Sequence, residues 1–222
     1  MSEYGYNTDM VLVIDATAKK APLFDKVKER VLSVPSIYVE EAADYGSEIS
    51  SLRVRVIAFR DFGVDEEPIV ESPFFVFPEE EESFRNFVIS IEAKGGQGDA
   101  ACALEALALA LKSDFSNETR PRHLIFLFTL GSALRLGLRK NYPSYPEGMP
   151  RELNELNEWW EFGVPGGSLN PTGARLAAFV PRCYPWSELE IMNRYWPVYL
   201  VEERFFDFRL NMQHVCYNFI DY

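Results

Sequence analysis

Two stretches of this chain leave little choice of architecture. DMVLVID (residues 9–15) and RHLIFLFTL (residues 122–130) are apolar almost without interruption. A strand with one wet face alternates apolar and polar residues. A strand apolar throughout is covered on both faces, as interior strands of parallel sheets are. Parallel neighbours cannot be joined by a tight turn and need a crossover, usually a helix. Helical patterns duly alternate with the strands. Residues 22–45 place Phe24, Val27, Val31 and Leu32 at helical spacing, and Pro35 is expected to kink or divide that helix. PEEEESFRNFVISI (78–91) opens with a proline and four glutamates, which suit the positive end of a helix dipole. AACALEALALALKSD (100–114) has the composition of a helix buried on most sides. Further strands are expected at 51–59, 68–77, 174–180 and 197–202, and further helices at 152–160, 185–193 and 207–220. Prolines send the 68–77 strand to an edge. The expected fold is α/β: a doubly wound, mostly parallel sheet with helices on both faces, Rossmann-like, with one antiparallel edge strand.

The 222 residues, 47% hydrophobic and 14% aromatic, suffice for one well-filled core. No repeat or linker interrupts them, so residues 1–222 read as a single domain. The formal net charge is −12, much of it in short acidic runs such as residues 79–82. Such a surface repels phosphate, so neither nucleic acid nor an anionic membrane is an expected partner. No apolar run approaches the ~18 residues of a membrane span. MSEYGYNTDM has neither a basic start nor a long apolar stretch, and a cytoplasmic location is expected. Cys102, Cys183 and Cys216 are far apart and form no CxxC pair, which points away from zinc and from a disulfide framework. GxSxG and HExxH are absent, and neither His123 nor His214 belongs to a nucleophile pattern. A hydrolase or nucleotide-binding enzyme is therefore the last of the readings considered.

In a doubly wound sheet, ligands sit beyond the carboxyl ends of the strands, where strand order reverses. That place would gather the loops after Ile14, at KGGQGD (94–99) and after Phe128. VLVIDATAKK (11–20) delivers Asp15 and Thr17 from the end of a buried strand, oxygen ligands that suit a hard cation. Asp99 reads as a ligand or, more simply, as the N-cap of the helix after it. Gly95, Gly96 and Gly98 read as a tight turn, since the Gly-Lys-Ser/Thr of a phosphate loop is missing. Asp61 reads as half of a salt bridge, or as support for the site. Trp159, Trp160, Tyr142, Tyr145 and Trp186 suit an aromatic contact surface and ordinary packing equally.

A first strand ending in Asp, a GGxGD loop before an Ala/Leu helix, and a strand ending in Phe-Thr-x-Gly together resemble the von Willebrand factor type A domain, over residues 9–201. FRDFGVDEEP (59–68) and FRNFVISIEAKGGQGDAACALEALALAL (84–111) are similar to its alpha-kinase-linked and bacterial tellurite-resistance-type branch. The resemblance implies a metal-ion-dependent adhesion site. Such a site has Asp-x-Ser/Thr-x-Ser in the first loop, Thr in the glycine-rich loop and Asp after the fourth strand, with one position open for a partner's carboxylate. Asp15 and Thr17 match it. Lys19 stands at the second hydroxyl, Gln97 at the threonine with Asp99 as a substitute, and Leu130 at the second aspartate.

Leu130 withdraws a carboxylate, and Lys19 brings an ammonium. Two unit charges ~4 Å apart interact by about 4 kcal/mol at an effective dielectric near 20, here against a metal. Lys19 is expected to oppose the cation, or to pair with Asp15 or Asp99 in its stead. The resulting expectation is a non-catalytic bacterial module without a cofactor. It would meet another protein through Asp15, Thr17, Lys19, Gln97, Asp99 and Leu130. The alternative is a Mg²⁺-dependent binding domain with Asp15, Thr17 and Asp99 as ligands and Asp61 acting through water.

Overall fold

The computed structural model describes residues 5–187, 199–200 and 208–220. Its axis is β1 (Tyr6–Asp15), flanked by parallel β2 (Ile49–Phe59) and parallel β5 (Pro121–Phe128). Met10, Leu12 and Ile14 face one core while Val11 and Val13 face the other, which is why this strand does not alternate. β6 (Ala174–Phe179) lies parallel beyond β5, and β7 (Tyr199–Leu200) parallel beyond β6. Two short strands, β3 (Ile69–Glu71) and β4 (Phe75–Phe77), pair antiparallel with β2. The described residues form a seven-stranded sheet of order β3-β2-β1-β5-β6-β7, with β4 also on β2. Strand order reverses between β1 and β5. The fold is therefore the mixed, mostly parallel α/β sheet that the sequence implies, and the reversal fixes where a site belongs.

Helices α1 (Ala21–Asp44), α2 (Glu81–Ser90) and α5 (Phe208–Ile220) cover one face of the sheet. Helices α3 (Ala103–Leu111) and α4 (Leu153–Phe162) cover the other. In α3 every residue except Leu109 is buried. Each fully buried leucine there contributes about 1.5–3 kcal/mol relative to an exposed one. Trp159, Trp160 and Trp186 are buried in the same core, so they are packing and not a contact surface. Tyr142 is exposed and Tyr145 half-buried.

Several local expectations are corrected. α1 runs unbroken through Pro35, which lies buried among Val34, Ile37 and Tyr38; packing of that face outweighs one lost backbone bond. The 68–77 strand divides in two. At the break the Ser72 hydroxyl accepts from the Val56 N–H at 2.9 Å and donates to the Pro73 carbonyl at 2.7 Å. Pro73, with no N–H, cannot continue the ladder. α2 begins at Glu81, beyond Pro78. α3 has Cys102 at its N-cap, so Asp99 is not the cap. Most of the expected 185–193 helix and 197–202 strand lies outside the described residues. No described helix is long and apolar enough to cross a membrane.

Candidate functional site

The loops after β1, α2 and β5 meet at the point of strand-order reversal. Backbone hydrogen bonds join the first two: the Lys94 N–H donates to the Ala16 carbonyl and the Ala18 N–H to the Gly95 carbonyl, each at 3.0 Å. The third comes in through Gly131, where a Cβ would stand 2.1 Å from the Asp99 carbonyl oxygen. Only glycine permits that approach.

Asp15 sits buried at their centre. Its Oδ1 accepts from the Thr17 N–H at 3.1 Å and from the Thr17 hydroxyl at 2.8 Å. Its Oδ2 accepts from the Thr129 hydroxyl at 2.7 Å. Thr129 Oγ1 accepts in turn from the Gly131 N–H at 3.2 Å. The Gly131 carbonyl is capped by the indole N–H of Trp186 at 3.0 Å. Both carboxylate oxygens are therefore engaged by neighbouring protein groups.

A single turn of 3₁₀ helix, Ala18–Lys20, then swings the two lysines apart. Lys19 points outward and forms an ion pair with Asp99, the side chains 55% and 69% exposed. The Lys19 hydrogen bond and charge, with a smaller pull from Lys20, hold the Asp99 carboxyl below its usual range. Lys20 turns inward and is only 7% exposed. Its Nζ lies 2.8 Å from where a Cβ on Gly131 would be. Its ammonium is not among the buried polar atoms left without a partner, so the tip keeps contact with solvent. The lysine inside the loop cluster is thus Lys20, whereas Lys19 pairs at the rim with Asp99 and not with Asp15. Gln97 is exposed and Leu130 half-buried.

The glycine loop is held from beneath. Gly95, Gly96 and Gly98 have φ of 64°, 74° and 87°, values that glycine adopts without strain. Asp65 Oδ2 accepts from the Gly96 N–H at 2.9 Å and from the Asp61 N–H at 3.0 Å. A Cβ on Gly95 would fall 1.5 Å from Asp65 Oδ1. The turn is closed by the protein's own carboxylate. Thr129, Lys20 and Asp65 were missed by sequence reasoning. Thr129 had a signal, a hydroxyl directly after a buried strand that ends beside Asp15.

A second polar cluster lies under the 131–150 loop. Asp61 is fully buried, and Arg139 grips it with two 2.8 Å hydrogen bonds. Arg60 does not pair with Asp61; it donates to the Glu67 and Glu92 carbonyls at 2.7 and 2.9 Å. Glu105, also fully buried, accepts from the Gly137 N–H at 3.0 Å. Burial pushes the Glu105 carboxyl up, and burial likewise raises the thiol of Cys102. His123 is a core histidine. Its Nδ1 accepts from the Asn170 N–H, which leaves Nε2 to donate to the Ser116 carbonyl. Burial holds its pKa down, consistent with that neutral form.

No protein-family model matches the chain, and no curated protein is similar to it. Solved structures are. A von Willebrand factor type A protein from Catenulispora acidiphila superposes with a TM-score of 0.54 at 10% identity, over 97% of this chain and 42% of that one. Proximal thread matrix protein 1 of the mussel byssus gives 0.55 at 12% identity, over 100% and 49%. The pilus adhesin SpaC of Lactobacillus rhamnosus GG, in its open conformation, gives 0.50 at 8% identity, over 98% and 30%. The chain spans less than half the length of each. Likeness at such identities is likeness of fold alone, a mostly parallel α/β sheet arranged like that of the von Willebrand factor type A protein.

Proposed function

We propose that the chain is a non-catalytic protein-interaction module that meets another protein through the loops at the carboxyl edge of its sheet, without a divalent cation. The observation that carries this reading is that both oxygens of Asp15 accept hydrogen bonds from neighbouring protein groups, with the Lys20 ammonium brought into the same loop cluster. Mg²⁺ wants near-octahedral oxygen ligands at ~2.1 Å. The residues present do not fit it. Asp15 has both oxygens engaged by Thr17 and Thr129, Leu130 brings no oxygen, and Asp99 is turned to Lys19 at the rim. The exposed Lys19, Gln97 and Asp99 form the accessible part of the surface, and the likeness to a pilus adhesin agrees with a binding role. Kinship with the alpha-kinase-linked and tellurite-resistance-type branch rests on FRDFGVDEEP, whose Asp61 and Asp65 anchor the neighbouring loops.

The test is a photo-crosslinking residue at position 97, with position 46 at the opposite end of the sheet as control, in extract of the source cells containing EDTA. A product from position 97 alone is expected. Equal products from both positions, or a product at 97 only after Mg²⁺ is restored, would overturn the reading. Melting curves in EDTA and in Mg²⁺ should coincide. A cation present at 100 times its dissociation constant adds about 2.7 kcal/mol, worth roughly 5–10 °C at this size.

A further inference from the structure

We infer that the 131–150 loop builds a binding cavity for a small organic anion, an apolar body that carries one carboxylate or phosphate group. Together with Arg151, the loop encloses about 630 Å³. Small-molecule sites span about 300–1,000 Å³, with apolar walls and a few polar groups that fix orientation. This cavity has both parts. Leu136, Tyr145, Met149 and Pro150 supply apolar wall, and Arg135, Lys140 and Arg151 supply cations. Acidic residues outnumber basic ones 34 to 22 in the chain, yet none lines this cavity. Arg151 is partly spent on Glu155, at 3.1 Å. Arg135 and Lys140 are exposed, and among the described residues their side chains have neither a hydrogen-bond nor an ion-pair partner. Cations gathered without a counter-ion raise the local potential, and a concave, low-dielectric wall focuses it. An anion docked there gains charge-assisted hydrogen bonds, while its apolar body leaves water. The fork of Arg135 matches the planar edge of a carboxylate or phosphate.

A loop of this length without helix or strand is uncommon in a compact domain and is usually either functional or disordered. This one is fastened around the cavity. The Gly137 N–H donates to the buried Glu105 carboxyl at 3.0 Å, and the Ser144 hydroxyl to the Phe62 carbonyl at 3.2 Å. The Tyr145 ring meets Phe62 edge-on, with centroids 5.4 Å apart. Lys112 Nζ donates to the Glu147 and Gly148 carbonyls at 3.1 and 3.4 Å. The walls are set before a ligand arrives, which leaves little ordering cost to binding. Burial favours the neutral form of Glu105 behind the wall, so its carboxyl takes little from the positive potential in front. No residue of the surface around Gln97 lines the cavity, so either site can fail without the other.

The experiment titrates the whole chain, at constant ionic strength, with naphthoate, naphthyl phosphate, neutral naphthamide and acetate. The backbone amide resonances of Gly137, Lys140 and Gly148 are followed. A naphthyl anion should give saturable shifts at these amides, with a dissociation constant of about 1 mM or tighter. Naphthamide, without the charge, and acetate, without the apolar body, should each bind at least about tenfold more weakly. Arg135→Gln combined with Lys140→Gln changes two exposed side chains and should weaken the naphthyl anion at least about tenfold. Lys26→Gln combined with Arg85→Gln makes the same change of net charge on α1 and α2, across the sheet, and should leave affinity within about twofold. The inference is overturned by any of three results: no saturable shift with either naphthyl anion, equal binding of naphthamide, or equal losses in the two double variants. The tighter of the two naphthyl anions identifies the charged group as carboxylate or phosphate.

Discussion

Thr129 joins two loops through one hydroxyl, donating to Asp15 and accepting from Gly131. Thr129→Val keeps the volume and removes both bonds in a buried place. Each buried group left unsatisfied costs about 1–3 kcal/mol, so urea unfolding should show a loss in that range. A loss below ~0.5 kcal/mol would mean that water takes the hydroxyl's place. The position of Asp15 and Thr17 in the loop cluster was legible because both come directly off the end of an apolar strand. Lys19 and Lys20 were not separable by counting along the chain. An extended loop would put Lys19 inward, but a 3₁₀ turn with three residues per turn changes the phase and brings Lys20 in. Asp99 was misread as a cap because the helix after it starts three residues later than its Ala/Leu composition suggests.

The 131–150 segment contains no helix or strand of its own, yet it is tied to the body at several points. Ala133 bridges to Ala101, Leu136 is buried, Gly137 donates to Glu105, and Arg139 grips Asp61. The Asp61 hydrogen bonds keep the Arg139 guanidinium firmly protonated. Arg139→Met would leave Asp61 as a buried charge without its partner. Losses of about 3–5 kcal/mol are typical of such a change. Limited proteolysis should then cut between residues 131 and 150 well before the sheet unfolds; an unchanged digestion pattern would show that the apolar anchors suffice. Composition marked this segment as a loop rich in Gly, Pro and Tyr. Its anchors were hidden because each partner lies dozens of residues away. Elements held by local periodicity, such as α2 and α4, were legible to within a few residues.

Stability of the whole molecule should carry two opposing pH slopes. Burial lowers the pKa of His123, so its contribution is complete above the ordinary histidine range and is lost as pH falls through it. Burial raises that of Glu105, so the neutral form is favoured in the fold. Stability is therefore lost as pH rises from the ordinary glutamate range through the raised value. Glu105→Gln removes only the second slope. Between about pH 4.5 and 6.5, its unfolding free energy should climb with pH more steeply than that of the natural chain. Parallel curves would show that Glu105 is ionised at no penalty. The sheet itself was the most legible level, because two strands apolar on both faces admit few layouts.

Asp65, locked beneath the glycine turn, separates scaffold from display. The backbone of the turn is set from the β2 side, through hydrogen bonds that never reach the tip. Gln97 is exposed, and Gly98 has open space around it. The tip can therefore change its chemistry from one descendant to the next without disturbing its own support. Such a surface can drift toward new partners while the carboxylate below keeps its shape, much as a grafting platform tolerates new inserts.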